Sequence, residues 1–320
     1  MSNAENKFYR TQTYYALATD PIHVGTGSYR LAGVDLSIIR DPATRLPKIP
    51  GSSLSGVARS NAAMRLQKKA FACAGKGGDR GEDHCGELDC AICNTFGYSR
   101  GDSESLQGMA QFFDAQILLF PVYSMYGTVW MTSESLVREA GFTALPELAI
   151  EQVALSANFA AKKAQPQRVN LGWLLLDAVA PALNGSEVLA ALCGEAAANP
   201  KVKTRTEAIA KRLVVVHDNL FSRLVNDNLE VRTSVSINPK TGAAEEGALF
   251  TYEAIPRATF MRFDVVYNNP EMFRDGAIAL NLDDVIQTVE TGLADFAMLG
   301  VGGMNTRGMG RLAVLNLAAE

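Results

Sequence analysis

Apolar and polar positions along this chain switch between a two-residue and a 3.6-residue period, and the switches mark its elements. Residues 13–19 (TYYALAT) predict a first strand that ends at Asp20-Pro21. His23-Val24-Gly25-Thr26-Gly27 follows as a turn whose glycines permit close backbone approach. Residues 34–39 alternate as extended chain until Asp41-Pro42 breaks them, and Pro50-Gly51 delivers the chain to a helix. Ser52 or Ser53 predicts its N-cap. Leu54, Val57, Ala58, Ala62 and Leu66 recur on one helical face, with Arg59, Arg65, Lys68 and Lys69 expected on the exposed one.

Residues 75–87 are glycine-rich, charged and almost without apolar side chains, the pattern of a surface insertion that needs something to order it. Residues 110–126 and 128–132 return to strand-like sequence. The middle has helical spacing over 181–198 and 204–225. Two extended arms around Asn238-Pro239-Lys240-Thr241-Gly242 predict a projecting hairpin. After Asp283-Asp284, Val285, Ile286, Val289, Leu293 and Phe296 form a last helical face, and a glycine-rich loop over 300–311 leads to a closing strand at 312–317. These elements predict one α+β domain over 1–320, a βαββαβ skeleton with three additions: a metal-binding insertion at 72–95, a largely helical insertion at 134–225 and the hairpin at 231–256.

Composition changes this picture only modestly. No apolar run reaches the roughly 18–20 residues of a spanning helix, and the N-terminus lacks a signal-peptide pattern, so the expectation is a cytoplasmic protein without a membrane partner. The net charge is −4, which by itself argues against a nucleic-acid partner. Its distribution argues the other way: residues 1–69 carry ten Lys and Arg against four Asp and Glu, or +6, leaving −10 for the rest. That imbalance reads either as a basic lane for phosphates or as a solvated face.

The chemistry is concentrated in a few places. Four of the five cysteines lie between Cys73 and Cys93, and Cys85-x4-Cys90-x2-Cys93 preceded by Cys73 and His84 supplies the soft ligands of a closed, structural zinc site. The fourth ligand is Cys73 or His84. Cys193 reads as a core residue. Asp35 is an unexpected acid in an apolar alternation. It is either a carboxylate that holds magnesium or assists attack on phosphorus, or one that caps a turn or pairs with Arg30 or Arg40. His23 and His217 lack visible partners and read as structural. The serine-capped helix start offers amides to an anion, or is simply a capped helix. The glycine loop does not open a helix as a dinucleotide site would, and instead suits close approach to an RNA or protein backbone, with Arg307 and Arg311 as phosphate ligands.

A series of ordered motifs then carries a resemblance over nearly the whole chain: His23-Val-Gly-Thr-Gly27, Gly33-Val-Asp-Leu36, Ile39-Arg40, Leu46-Pro-Lys-Ile-Pro-Gly-Ser-Ser-Leu54, Phe113-Asp-Ala115 with Leu119-Phe-Pro121, Asn170-Leu-Gly-Trp173, Gly247-Ala-Leu-Phe250 with Glu253, and the loop from Gly300 to Gly310. The sequence resembles the RAMP-superfamily backbone subunits of type III CRISPR effector complexes, first the repeating subunit of the type III-B Cmr complex and second its Csm counterpart, whose cysteine insertion looks closer. The resemblance implies an RRM/ferredoxin-like core that stacks with further copies of itself and other effector subunits along a CRISPR RNA. The hairpin would be a thumb wedged between bases. Asp35 would cut a complementary single-stranded target RNA at regular intervals with Mg2+ or Mn2+. By the same match, His23, Gly25, Gly27, Arg40, Ser52, Ser53, Arg59, Gly302, Gly303, Arg307 and Arg311 would line the RNA, and Cys73, His84, Cys85, Cys90 and Cys93 would supply the Zn2+ ligands. Ser55 and Tyr123 stand where the family usually has lysine and arginine, so guide binding would lean on Arg40, Arg59, Arg307 and the helix start. A subunit that binds RNA without cutting and a nuclease that processes precursor RNA are the alternatives.

Overall fold

Four strands far apart in sequence lie side by side in the computed structural model, which describes residues 7–29, 34–66, 73–75, 84–100, 104–157, 159, 167–245, 249–273 and 278–318. They are β1 (Tyr9–Ala18), β2 (Ala115–Ser124), β3 (Phe260–Asn268) and β4 (Leu312–Val314), in the order β4-β1-β3-β2 with every neighbour antiparallel. Tyr14, Ala16, Phe120, Met261, Phe263 and Val265 point into one continuous core. Against it lie α1 (Gly51–Leu66) and α2 (Leu282–Ala294).

The two helices touch where their side chains are smallest. A Cβ on Gly292 would collide with the carbonyl of Ala58, and Asn61 Nδ2 donates 3.1 Å to the Gly292 carbonyl. Arg65 then pairs with Asp295 just past the end of α2. The start of α2 is fixed by a capping box, in which Asn281 accepts from the Asp284 amide and Asp284 accepts from the Asn281 amide. The start of α1 is fixed differently from expectation: the Gly51 amide donates 2.8 Å to Asp114 Oδ1, a carboxylate from the far side of the sheet.

Beyond β2 the sheet continues through strands Gly127–Ser133, Leu213–Val216, Gln152–Ser156, Leu174–Leu183 and Arg168–Leu171, and with Lys48–Ile49 and Ala110–Phe112 it reaches eleven strands. The segment 134–225 is therefore not largely helical. After the short helix Glu134–Glu139 come three strands and then the helices Gly185–Cys193 and Pro200–Ala210, and the predicted helix over 204–225 is split by the fully buried strand Leu213–Val216, beyond which the helix Asp218–Asp227 begins. His217 caps the helix that follows, its Nδ1 accepting from the Asn219 amide at 3.1 Å. Cys193 is buried, as expected for a core residue.

The hairpin forms as predicted, with strands Glu230–Ser234 and Phe250–Ala254 antiparallel and a turn closed by the Asn238 and Gly242 amides. Its distal residues 239–245 are exposed. It belongs to a second sheet, in the order Glu230–Ser234, Phe250–Ala254, Leu36–Ile38, Gly25–Tyr29. The early stretch with its turn and acid is thus built onto the hairpin. Among the described residues no helix is long and apolar enough to cross a membrane. Arg30, Gly33, Lys68, Lys69 and Gly247 lie outside the described residues.

The helix contact generates a prediction. Gly292→Val gains up to about 0.5 kcal/mol of helix propensity, but forces apart a backbone contact, at a cost of about 1–3 kcal/mol. Urea unfolding is expected to show a net loss of about 2 kcal/mol for this variant.

Candidate functional site at the base of the hairpin

The strand Phe250–Ala254 presents its side chains alternately to two faces, as any strand must, and both faces fasten parts of the early stretch. Phe250 and Tyr252 turn toward Leu36, Met304 and Met309. Thr251 and Glu253 turn toward the early stretch.

Glu253 takes Arg40 in a two-pronged ion pair, with Nη1 to Oε2 and Nη2 to Oε1 both at 2.9 Å. Arg40 Nε also donates 2.7 Å to Asn226 Oδ1, and Nη1 donates 3.0 Å to the Ile38 carbonyl. Arg40 was expected to hold a phosphate; its guanidinium is instead committed to its own chain. The Glu253 backbone carbonyl accepts from His23 Nδ1 at 2.6 Å, which places a proton on Nδ1. A Cβ on Gly25 would sit 2.9 Å from His23 Nε2, so this glycine makes room for the imidazole, while Gly27, at φ 76°, supplies a turn conformation.

Asp35 is held by a single residue. Its Oδ2 accepts from the Thr251 amide at 2.7 Å and from Thr251 Oγ1 at 2.9 Å, and its own amide lies 3.1 Å from Thr251 Oγ1. The Thr251 amide is the main cause holding this carboxyl below its usual pKa, with the hydroxyl second, so Asp35 is an anion at neutral pH. It pairs with no arginine among the described residues.

The glycine loop closes against the same corner. The Gly303 amide donates 2.8 Å to the His23 carbonyl, and the Gly310 amide donates 2.8 Å to the Pro21 carbonyl. A Cβ on Gly302, at φ 84°, would strike the His23 carbonyl. The partner that the loop approaches so closely is therefore this chain's own turn. Arg307 lies with its guanidinium carbon 5.0 Å from the centre of the Phe250 ring, and the exposed Arg311 pairs with Asp20. Arg307 thus lies on the Phe250 face of the strand, opposite the face that bears Thr251.

The helix-start cradle takes another form. Ser52 is exposed and Ser53 half-buried, but the first amide of α1 already serves Asp114. Arg59, expected on the exposed face, turns inward. Its Nε donates 2.7 Å to the Cys73 carbonyl, Nη1 donates 2.7 Å to the Gly97 carbonyl, and Nη2 approaches His84 Nδ1 at 3.0 Å. Arg10, Lys48 and Arg65 also pair with carboxylates of their own chain. Much of the early positive charge is internal bonding, not a basic lane.

Around Arg59 the insertion has collapsed onto four sulfurs. Cys73, Cys85, Cys90 and Cys93 lie within 4.8 Å of one another, with separations of 3.5 Å for Cys73–Cys85, 3.8 Å for Cys85–Cys93 and 3.9 Å for Cys90–Cys73. A tetrahedron of zinc–sulfur bonds of ~2.3 Å has edges of about 3.8 Å, so the set fits zinc and leaves no open position for substrate. His84 is not in the set, and Cys73 completes it; the His84 Nδ1 faces Arg59. Burial pushes the Cys85 thiol up to about 11, so a cation must displace protons to bind.

Comparison with known proteins agrees in outline. The RAMP superfamily model matches residues 16–313. The CRISPR system Cmr endoribonuclease Cmr4 of Pyrococcus furiosus is 26% identical over 316 residues, covering 92% of this chain and 91% of that protein. The CRISPR system Cms endoribonuclease Csm3 of Methanothermobacter thermautotrophicus is 40% identical over 89 residues, which span 27% of this chain and only 32% of that relative. Among solved structures, a type III-B Cmr-beta complex bound to cognate target RNA contains a chain that superposes with a TM-score of 0.62 at 15% identity, covering 97% of this chain and 98% of that one. At that identity the likeness is one of fold.

Thr251, Asn226 and Asp114 escaped sequence reading as partners, since each acts on a residue at least 63 positions away and no spacing announces it. Only the alternation around Phe250 hints at Thr251. For the cysteine site, elemental analysis is expected to find one zinc per chain. Arg59→Met is expected to lose the metal to a chromophoric chelator about tenfold faster, as loss of a residue bonded to a ligand's backbone does, without changing the salt dependence of RNA binding.

Proposed function

The chain belongs to the RAMP superfamily, and on that premise we propose that it is the repeating backbone subunit of a type III CRISPR effector, binding CRISPR RNA and cutting complementary target RNA beside each hairpin. The observation that carries this reading is the corner itself: an ionised, partly exposed Asp35 fixed by Thr251 to the root of the hairpin. The strand order β4-β1-β3-β2, with α1 and α2 packed against it, supports an RRM-like βαββαβ core. The full-length match to a Cmr endoribonuclease supports the same activity and the Cmr type.

Cleavage of a phosphodiester requires attacking oxygen, phosphorus and leaving oxygen in line, and a hairpin that pries bases apart imposes that geometry on the strand. Asp35 has Oδ2 bonded to Thr251, and no bond from another described residue is made to Oδ1. A Mg2+ or Mn2+ ion held there would neutralise charge on the phosphate. Arg307 and Arg311 would place the backbone, and His23, with a proton on Nδ1, would hold the turn against the glycine loop. The four-cysteine site is structural, ordering the insertion that rests on α1. CRISPR RNA, target RNA, further copies and companion effector subunits are the partners of this reading, in the cytoplasm.

A second reading draws on the same Thr251 contacts: Asp35 could serve only to pin the hairpin, in a subunit that binds RNA without cutting. Assembled complex with Asp35→Ala, incubated with labelled target and magnesium, separates them. The expected result is intact target with undiminished target binding, where the parent gives evenly spaced products. Retained cutting, or a parent that leaves the target intact, refutes the nuclease reading.

A further inference from the structure

Asp35 is the group assigned to cutting, and among the described residues Thr251 is the one, apart from Asp35 itself, that bonds its carboxylate. The two residues are separated by 216 positions. The contact is reciprocal: the Thr251 amide and hydroxyl both meet Oδ2, and the same hydroxyl oxygen lies 3.1 Å from the Asp35 amide. One threonine therefore fixes the backbone and the side chain of Asp35 together.

Two donors on Oδ2 remove the freedom of the carboxylate to exchange its oxygens. An aspartate on a loop without such donors rotates freely about its last torsion, which is broad and nearly two-fold. Thr251 is in turn immobilised by its neighbours: Phe250 lies under Arg307, Tyr252 packs on His23 and Glu253 grips Arg40. The hairpin arm is continuous with this strand, and Thr251 pairs across it with Thr233.

Building on the nuclease reading above, we propose that Thr251 is the positioning residue for Asp35, selecting the oxygen that faces the target strand. Thr251 touches no substrate in this scheme; it acts through Asp35.

The test uses assembled complex carrying Thr251→Val, Thr251→Ser or Asp35→Ala, with single-turnover cleavage measured across target concentrations. Valine keeps the β-branched shape and the amide but removes the hydroxyl; serine restores the hydroxyl. Thr251→Val is expected to cut about tenfold to a hundredfold more slowly at saturating target, with an unchanged half-saturating concentration, and Thr251→Ser to recover to within about threefold of the parent. Parental cutting by Thr251→Val beside a dead Asp35→Ala overturns the role of Thr251 and leaves Asp35 standing. A loss of target binding in proportion to rate, or failure of serine to rescue, shows a merely structural threonine and overturns it too. Cutting by Asp35→Ala overturns both assignments together.

Discussion

The two-pronged ion pair of Arg40 with Glu253 is the contact on which the rest of the corner depends. Both side chains are largely withdrawn from water, at 11% and 15% accessibility, so neither charge could be left alone there without a penalty of about 3–5 kcal/mol. Three pieces meet at this pair: Arg40 from the early stretch, Glu253 from the hairpin root, and Asn226 from the helix Asp218–Asp227. The backbone of Glu253 adds the imidazole of His23, and through it the glycine loop. A pair placed this way fixes the hairpin to the body before any ligand arrives.

The same constraint explains why the charge distribution misleads. A positive excess near the N-terminus looks like a lane for phosphates, but Arg10, Arg40, Lys48, Arg59 and Arg65 each serve an internal partner. Within residues 34–59, Arg45 is the one exposed cation, so under the proposed function this stretch adds little positive surface to each subunit. That arrangement suits a chain that repeats along its ligand, since modest contacts per copy accumulate with copy number and a strongly basic surface on every copy would repel its neighbours.

Local pattern made much of the fold legible. The first strand, α1, the hairpin turn and α2 could all be read, because periodicity and turn chemistry are properties of short windows. The middle was misread for a physical reason: Leu213-Val214-Val215-Val216 is buried on both faces, and a continuous apolar run looks the same in a central strand as inside a helix. At the site, residue types were legible and pairings were not. Cysteine spacing announced the candidate metal ligands, but the choice of Cys73 over His84 depended on which side chain the fold brings within reach of the other three sulfurs. The identity of Asp35 stood out in its alternation; its dependence on Thr251 came only from the meeting of two distant segments.

The small sheet that carries the hairpin ends at the strand Glu230–Ser234, whose outer backbone groups have no further strand to pair with in this sheet. Such a margin is an invitation to fibrils, and more so beside exposed Val231, Val235, Ile237 and Leu249. The margin is guarded by charge: Glu230 and Arg232, two residues apart on one face, are bound to each other at 2.5 Å. A copy arriving edge-on would have to bury or break that pair. Another chain is thereby steered away from fusing its sheet to this one.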